Sequence, residues 1–204
     1  MTRWLLVRHG ETVWNREGRY QGHLDIPLAD VGREQAVALG AALASVQIAA
    51  AFFSDLSRAA DTARLALQDR DLKLAATPHL RETLYGQWEG LTFREARERD
   101  PELFARLLRW EPGISPPGGE SVDQVLTRVK AFVASVEPQD GDATVLVVAH
   151  SGSLRVLAGA LMGLPPEATR RFALDNASLS VVETHPRGSA LTLWNDTSHY
   201  RRHA

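Results

Sequence analysis

An apolar run, Trp4-Leu5-Leu6-Val7, breaks into Arg8-His9-Gly10-Glu11-Thr12, and a second run, Thr144 to Ala149, breaks into His150-Ser151-Gly152. Each break sets an imidazole at the end of a candidate buried strand and follows it with a glycine that lets the chain turn. Alone, the first break fits a reactive histidine and an ordinary strand end with surface polar residues equally well. Its recurrence at His150 favours the reactive alternative. If a sheet brings both strand ends together with Arg8 and Arg58, the matching ligand is a phosphate group. A guanidinium presents a planar fork of donors to phosphoryl oxygens and keeps its charge at any relevant pH. A neutral imidazole beside such cations can attack phosphorus, because neighbouring positive charge disfavours the imidazolium. One ring nitrogen of His9 must face phosphorus, so the other is expected to donate to a backbone carbonyl. The departing alkoxide needs a proton, for which Glu82 is the candidate donor. The same carboxylate could then deprotonate the water that hydrolyses phosphohistidine. Glu11 and Glu89 are the competing carboxylates.

Strand and helix patterns alternate along the chain, which predicts a layered α/β domain. Ile48 to Phe53 and Lys73 to Leu80 read as further strands. Val31 to Val46 carries Val37, Gly40, Ala41 and Ala44 at helical spacing. A helix from about Arg58 to Leu67 is expected to take its cap from Ser54-Asp55-Leu56-Ser57. Val13 to Asp30 reads as an irregular site loop. Ser121 to Val136 holds Val122, Val125, Leu126, Val129, Phe132, Val133 and Val136 as one apolar stripe, and Leu154 to Leu161 is a further helix. Ser178 to Glu183 and Ala190 to Trp194 flank Pro186-Arg187-Gly188 as a hairpin. Glu82 to Glu120, with Trp88, Trp110, two short helical patterns and turn-rich runs, reads as an insertion covering a site. Its Leu103, Phe104, Leu107 and Trp110 fit either a partly apolar substrate or plain helix packing.

At 204 residues one core suffices, and a 44% apolar, 24% charged composition with net charge -2 argues against nucleic acid as a partner. The chain has no cysteine, so disulfides, thiolate metal sites and a cysteine nucleophile are excluded. The chain enters its first strand without a charged start or a long apolar segment, and its longest apolar runs are short. No leader, no membrane span and a cytoplasmic location are therefore expected. A homodimer stays open.

Leu6 to Thr12 with Trp14-Asn15, Gly18-Arg19, Gln21-Gly22, Asp25-Ile26-Pro27-Leu28 and Gly32 resembles the opening motif of the histidine phosphatase (phosphoglycerate mutase-like) superfamily. Ser54 to Ala59 with Thr62-Ala63 resembles its second phosphate-binding motif. Glu82 with Gly86 and Trp88-Glu89-Gly90 resembles its acid motif, Pro117 to Ser121 its lid-to-helix junction, and Val148 to Gly152 its second histidine. The resemblance runs in order along nearly the whole chain. It implies a three-layer α/β/α sandwich with a mostly parallel central sheet and a helical lid insertion at about 82–120, all within one domain, 1–204. It further implies that His9 is phosphorylated, that Arg8, Asn15, Arg58 and His150 hold the phosphoryl group, and that Gln21, Gly22, Tyr85 and Ser151 contact substrate. No metal or other cofactor is implied; the partner is a small-molecule phosphate ester.

Leu84-Tyr85-Gly86 resembles the mutase pattern, but Phe93 stands where mutases carry a substrate-binding lysine, and the middle segment lacks their paired arginines. The chain is therefore more similar to broad-specificity and α-ribazole-phosphate phosphatases. The alternatives are a 2,3-bisphosphoglycerate-dependent phosphoglycerate mutase and a non-catalytic phospho-ligand binder. Trp14 and Trp88 are expected to pack, and His23, His79, His185 and His203 to be ordinary surface residues. His199 resembles a tail pattern of some family phosphatases. Arg201 and Arg202 are expected to form a solvated tail or to reach an anionic substrate.

Overall fold

The computed structural model describes residues 1–68, 70–136 and 142–201, so Arg202 and His203 lie outside the described residues. The first strand, β1 (Thr2–Arg8), is buried from Trp4 to Val7 because it is flanked by strands on both sides and helices on both faces. Thr12 then caps α1 (Val13–Arg16), its side chain accepting from Asn15 N while the Asn15 side chain accepts from Thr12 N. The stretch after the first motif is thus helical at its start, where an irregular loop was expected. Reciprocal capping lets a single turn form without an apolar stripe.

Next comes α2 (Asp30–Leu43), which buries Gly32, Gln35, Ala36, Leu39 and Leu43. Val37, Ala41 and Ala44 face outward, contrary to the expected stripe. In so alanine-rich a helix, apolar letters lie on both faces. It leads to β2 (Ala50–Ser54) and α3 (Ser57–Ala66). The first turn of α3 is fastened from outside the local sequence, with Ser57 N donating to Asp25 Oδ1 at 2.7 Å. Asp55, expected to cap, instead receives Arg81 at 2.6 and 2.7 Å. The third strand, β3 (Leu74–Thr77), stops at Pro78, which opens a 3-10 turn capped by Thr77.

Two short helices follow, α4 (Phe93–Arg99) and α5 (Pro101–Leu108), each started by a side-chain cap from Thr92 or Asp100. Beyond them α6 (Val122–Ser135) begins at a Ser121/Gln124 capping box and buries Val125, Val129 and Phe132. The chain closes with β4 (Ala143–Ala149), α7 (Ser151–Met162), the short α8 (Pro166–Thr169), and the hairpin β5 (Leu179–His185) and β6 (Gly188–Asp196).

The strand order is β3-β2-β4-β1-β5-β6, parallel from β3 to β1 and antiparallel through β5 and β6. Alternation along β1 sends Trp4 and Leu6 into a core shared with Val129 and Phe132 of α6 and Leu154 and Leu157 of α7. Leu5 and Val7 point the other way, into a core with Leu39 and Leu43 of α2 and Ala59 and Ala63 of α3. The result is the expected three-layer α/β/α sandwich. No helix among the described residues is long and apolar enough to cross a membrane.

Candidate active site

Because β1, β2 and β4 run parallel, their carboxyl ends meet at one edge of the sheet. Arg8 is in register with Ala149, so His9 and His150 leave adjacent strands side by side, with ring centroids 5.1 Å apart. At the end of β2 the first turn of α3 supplies Arg58, and Glu82 follows β3 after the Pro78–Leu80 turn. Gly10 does not take a positive φ. It is glycine because a Cβ there would collide with Gly32 O, while one on Gly32 would collide with Glu11 O. That backbone crossing clamps the loop carrying His9 onto α2.

His9 Nδ1 lies 2.7 Å from Gly10 O, which assigns the ring proton to Nδ1 and leaves the Nε2 lone pair as the nucleophile. Burial, and then the charges of Arg58 and Arg8, push the His9 pKa well below its ordinary value, so the ring is neutral. Arg58 is wholly buried. It donates from Nη1 to Leu24 O at 2.8 Å, from Nη2 to Gly22 O at 2.7 Å and from Nε to His150 Nδ1 at 3.2 Å. A cation can donate only to an unprotonated nitrogen, so the His150 proton sits on Nε2. Burial and then Arg58 depress the His150 pKa as well. Arg8 donates from Nη1 to Leu174 O at 2.5 Å. Among the described residues, Arg8 Nε and His150 Nε2 are buried donors with no partner, an arrangement that suits an anion.

Glu82 accepts from Thr83 N at 2.9 Å, Gly152 N at 3.0 Å and Ser153 N at 3.3 Å, so the amino end of α7 holds its carboxylate. Gly152 is needed for this approach: a Cβ would lie 2.5 Å from Glu82 Oε1. The competing carboxylates are engaged elsewhere. Glu11 pairs with Arg16, and Glu89 accepts from His23 N and Tyr85 N, joining two loops.

Arg8, His9, Asn15, Gln21, Arg58, Glu82, Tyr85 and Ser151 all line one cavity of about 560 Å³. Asn15 Oδ1 takes donors from Thr12 N and Asn176 Nδ2, leaving its amide NH2 as the group to face the cavity. Gln21 Oε1 is buried without a partner. His150 and Gly22 are not among the residues lining the cavity: the His150 ring lies 5.1 Å from that of His9 with Nδ1 receiving Arg58 Nε, and Gly22 O receives Arg58 Nη2. Trp14 lines the cavity as well as packing, whereas Leu103 does not.

Several residues escaped the sequence argument. Asn176 Nδ2 bridges His9 O at 3.1 Å and Asn15 Oδ1 at 3.1 Å, and lies in a stretch with no recognisable pattern. Thr62, quoted within the second motif without a role of its own, accepts from Gly10 N and donates to Arg58 O through Oγ1, coupling the two arginine-bearing motifs. Arg155, one turn into α7, reaches the cavity with its Nε held by Phe172 O at 2.8 Å. His23 is not an ordinary surface residue: its Nε2 meets Glu82 O at 2.9 Å, and Arg128 Nη2 donates to the same carbonyl at 3.0 Å. The expected surface positions of His79 and His185 hold. His199 packs edge-on against Tyr200, and Arg201 pairs with Asp175, so neither lines the cavity. Among the described residues no group of three or more His, Asp or Glu could hold a metal ion.

The family profile described as Histidine phosphatase superfamily (branch 1) matches residues 4–197. A Mycobacterium tuberculosis protein named as bifunctional is 41% identical over 97% of this chain, which spans only 55% of that relative's length. Phosphoserine phosphatase 1 of Hydrogenobacter thermophilus is 34% identical over 98% of this chain and 94% of its own. The crystal structure of a putative α-ribazole-5'-P phosphatase from Escherichia coli superposes with a TM-score of 0.87, at 34% identity over 96% of this chain and 97% of its own. Relatives named as phosphoglycerate mutases match too.

Proposed function

The chain belongs to the histidine phosphatase superfamily, branch 1, and on that premise we propose that it hydrolyses small phosphate monoesters through a phosphohistidine on His9, with Glu82 as the proton donor. The observation that carries this reading is a His9 Nε2 lone pair left by the Nδ1 contact, in a site where Arg8 shares the cavity wall and the His150 ring lies 5.1 Å away, each with a buried, unpartnered donor. In the first step His9 Nε2 forms a bond to phosphorus as the ester P–O bond breaks, while Arg8 and Arg58 neutralise the equatorial oxygens and Asn15 and the neutral His150 donate hydrogen bonds to them. The protein's own cations supply the charge stabilisation, so the reaction is metal-independent. Glu82, on the cavity wall, gives its proton to the departing alkoxide. In the second step Glu82, now a carboxylate, takes a proton from water as its oxygen displaces His9 from phosphorus.

Gln21, Tyr85 and Ser151 contact the substrate from the cavity wall, and residues 82–120 act as its lid. Phe93, on the wall where the resemblance expects a mutase lysine, favours hydrolysis over phosphoryl return to a second hydroxyl. The test is a panel of phosphate esters without added metal, including 3-phosphoglycerate with and without 2,3-bisphosphoglycerate. Phosphate release is expected; isomerisation without release overturns the reading.

A further inference from the structure

The segment 81–85, which carries Glu82, has no helix or strand of its own, yet it sets a carboxylate against the amides of Thr83, Gly152 and Ser153. A peptide outside any ladder keeps one orientation only if other groups bind it. The Glu82 carbonyl takes donors from two separate elements: Arg128 Nη2 of α6 at 3.0 Å and His23 Nε2 of the loop before β2 at 2.9 Å. That carbonyl and the Thr83 N–H belong to one planar trans peptide and point in opposite directions. Thr83 N–H is one of the donors on the Glu82 carboxylate, at 2.9 Å. Fixing the carbonyl therefore fixes a donor that seats the acid.

Arg128 is itself built in. Its Nη1 donates to His79 O at 2.8 Å, and its Nε and Nη2 donate to Glu120 Oε1 and Oε2 at 3.0 and 3.1 Å. Glu120 in turn accepts from Leu84 N at 2.9 Å and donates from its own N to Leu84 O at 2.8 Å. Residues on both sides of Glu82 are thus tied to one guanidinium. The Arg128 and Glu120 side chains are only 14% and 17% exposed, so water does not loosen this pair as it does a surface one. Neither Arg128 nor His23 lines the cavity. Both act through Glu82 and not on the substrate.

Resting on the phosphatase reading above, we propose that Arg128 and His23 are positioning residues: by clamping the Glu82 carbonyl they keep the acid's carboxyl group seated against the amino end of α7. Gly152 N supplies a readout that needs no turnover. It lies in the first turn of α7, where no intrahelical acceptor exists, and its contacts at 3.0 and 3.2 Å are both with the Glu82 carboxylate. Its amide exchange reports whether Glu82 is seated.

Arg128→Met and His23→Leu remove the two donors. His23→Gln returns an N–H at similar reach, and both His23 substitutions spare the backbone bond from His23 N to Glu89. For each variant, kcat/KM is measured with the best alkyl ester of the panel above and with p-nitrophenyl phosphate, whose leaving group needs no proton. The alkyl-ester value is expected to fall by about 10²-fold in Arg128→Met and about tenfold in His23→Leu, with p-nitrophenyl phosphate affected much less. Gly152 exchange is expected to quicken by about tenfold in both, the factor one hydrogen bond supplies, while amides of β1 and β4 keep their wild-type rates. His23→Gln should restore both readouts. Equal losses on the two esters, or Gly152 exchange that is unchanged or quickens together with β1 and β4, overturn the inference and leave the two residues as struts of the fold. If Arg128→Met does not fold, the two His23 variants decide the matter by the same criteria. If the wild-type protein hydrolyses neither ester, the phosphatase reading fails and Gly152 exchange alone judges the clamp: selective quickening supports it, and its absence overturns it.

Discussion

Replacing Arg58 by methionine separates what this side chain does for folding from what it does for chemistry. Burial pushes its guanidinium from its ordinary value down to about 10, a cost to the folded state of about 3 kcal/mol at 1.36 kcal/mol per tenfold. That cost is fully present at neutral pH, where folded and unfolded chains both carry the charge. Methionine removes it and keeps most of the volume, but strips donors from Gly22 O, Leu24 O and His150 Nδ1, each worth about 1–3 kcal/mol if left dry. The lost hydrogen bonds range from matching the relieved cost to exceeding it, so urea unfolding is expected to show a loss of no more than about 6 kcal/mol. Activity should fare far worse. A buried guanidinium facing a phosphoryl group contributes about 10³-fold or more, and kcat/KM is expected to drop by that factor. Arg58 is also the second cause, after burial, of the depressed His9 pKa. Without it the imidazolium is less disfavoured, so the acid limb of kcat/KM should move to higher pH. A variant that keeps more than about a tenth of wild-type kcat/KM, or whose acid limb moves to lower pH, refutes this reasoning.

Glu82→Gln should lower kcat/KM, which reports the first P–O cleavage, by about 10²–10³-fold for alkyl esters but much less for p-nitrophenyl phosphate, because p-nitrophenolate leaves without a proton; equal losses of kcat/KM on both would remove Glu82 from the acid role. His9 and His150 are both buried neutral, so below the ordinary histidine value the unfolded chain binds up to two more protons than the folded one. Stability should therefore fall with acidity below about pH 6.5, by up to about 2.7 kcal/mol per pH unit, and His9→Gln should halve that slope in urea titrations. Gly152→Ala, whose Cβ displaces Glu82 Oε1, is expected to reproduce the leaving-group dependence of Glu82→Gln while leaving the far-ultraviolet dichroism unchanged.

The sheet was legible because its central strands are unbroken apolar runs. The two histidine motifs sit directly at the ends of β1 and β4, which the parallel register then joins. The α6 stripe was legible for a related reason, since seven apolar residues recur at one period. Less visible was anything fixed by a distant partner. Ser57 is capped by Asp25, Gly10 is glycine because of Gly32, and His23 earns its place through the Glu82 carbonyl. Asn176 is the clearest case: an asparagine in an irregular segment carries no periodicity, yet it ties His9 to Asn15 across more than 160 residues of sequence. Gly22 entered through the resemblance, which does not say which way its backbone carbonyl points; that carbonyl receives Arg58 Nη2.

The central claim is a phosphorus–nitrogen bond on His9 Nε2. The direct measurement is rapid quenching of the protein with a phosphate ester under alkaline conditions, followed by peptide mass analysis. One phosphoryl group per chain on the peptide bearing His9, labile to acid and absent from His9→Ala, is the expected result. Steady phosphate release with no phosphorylated His9, or a His9→Ala protein with full turnover, would contradict it.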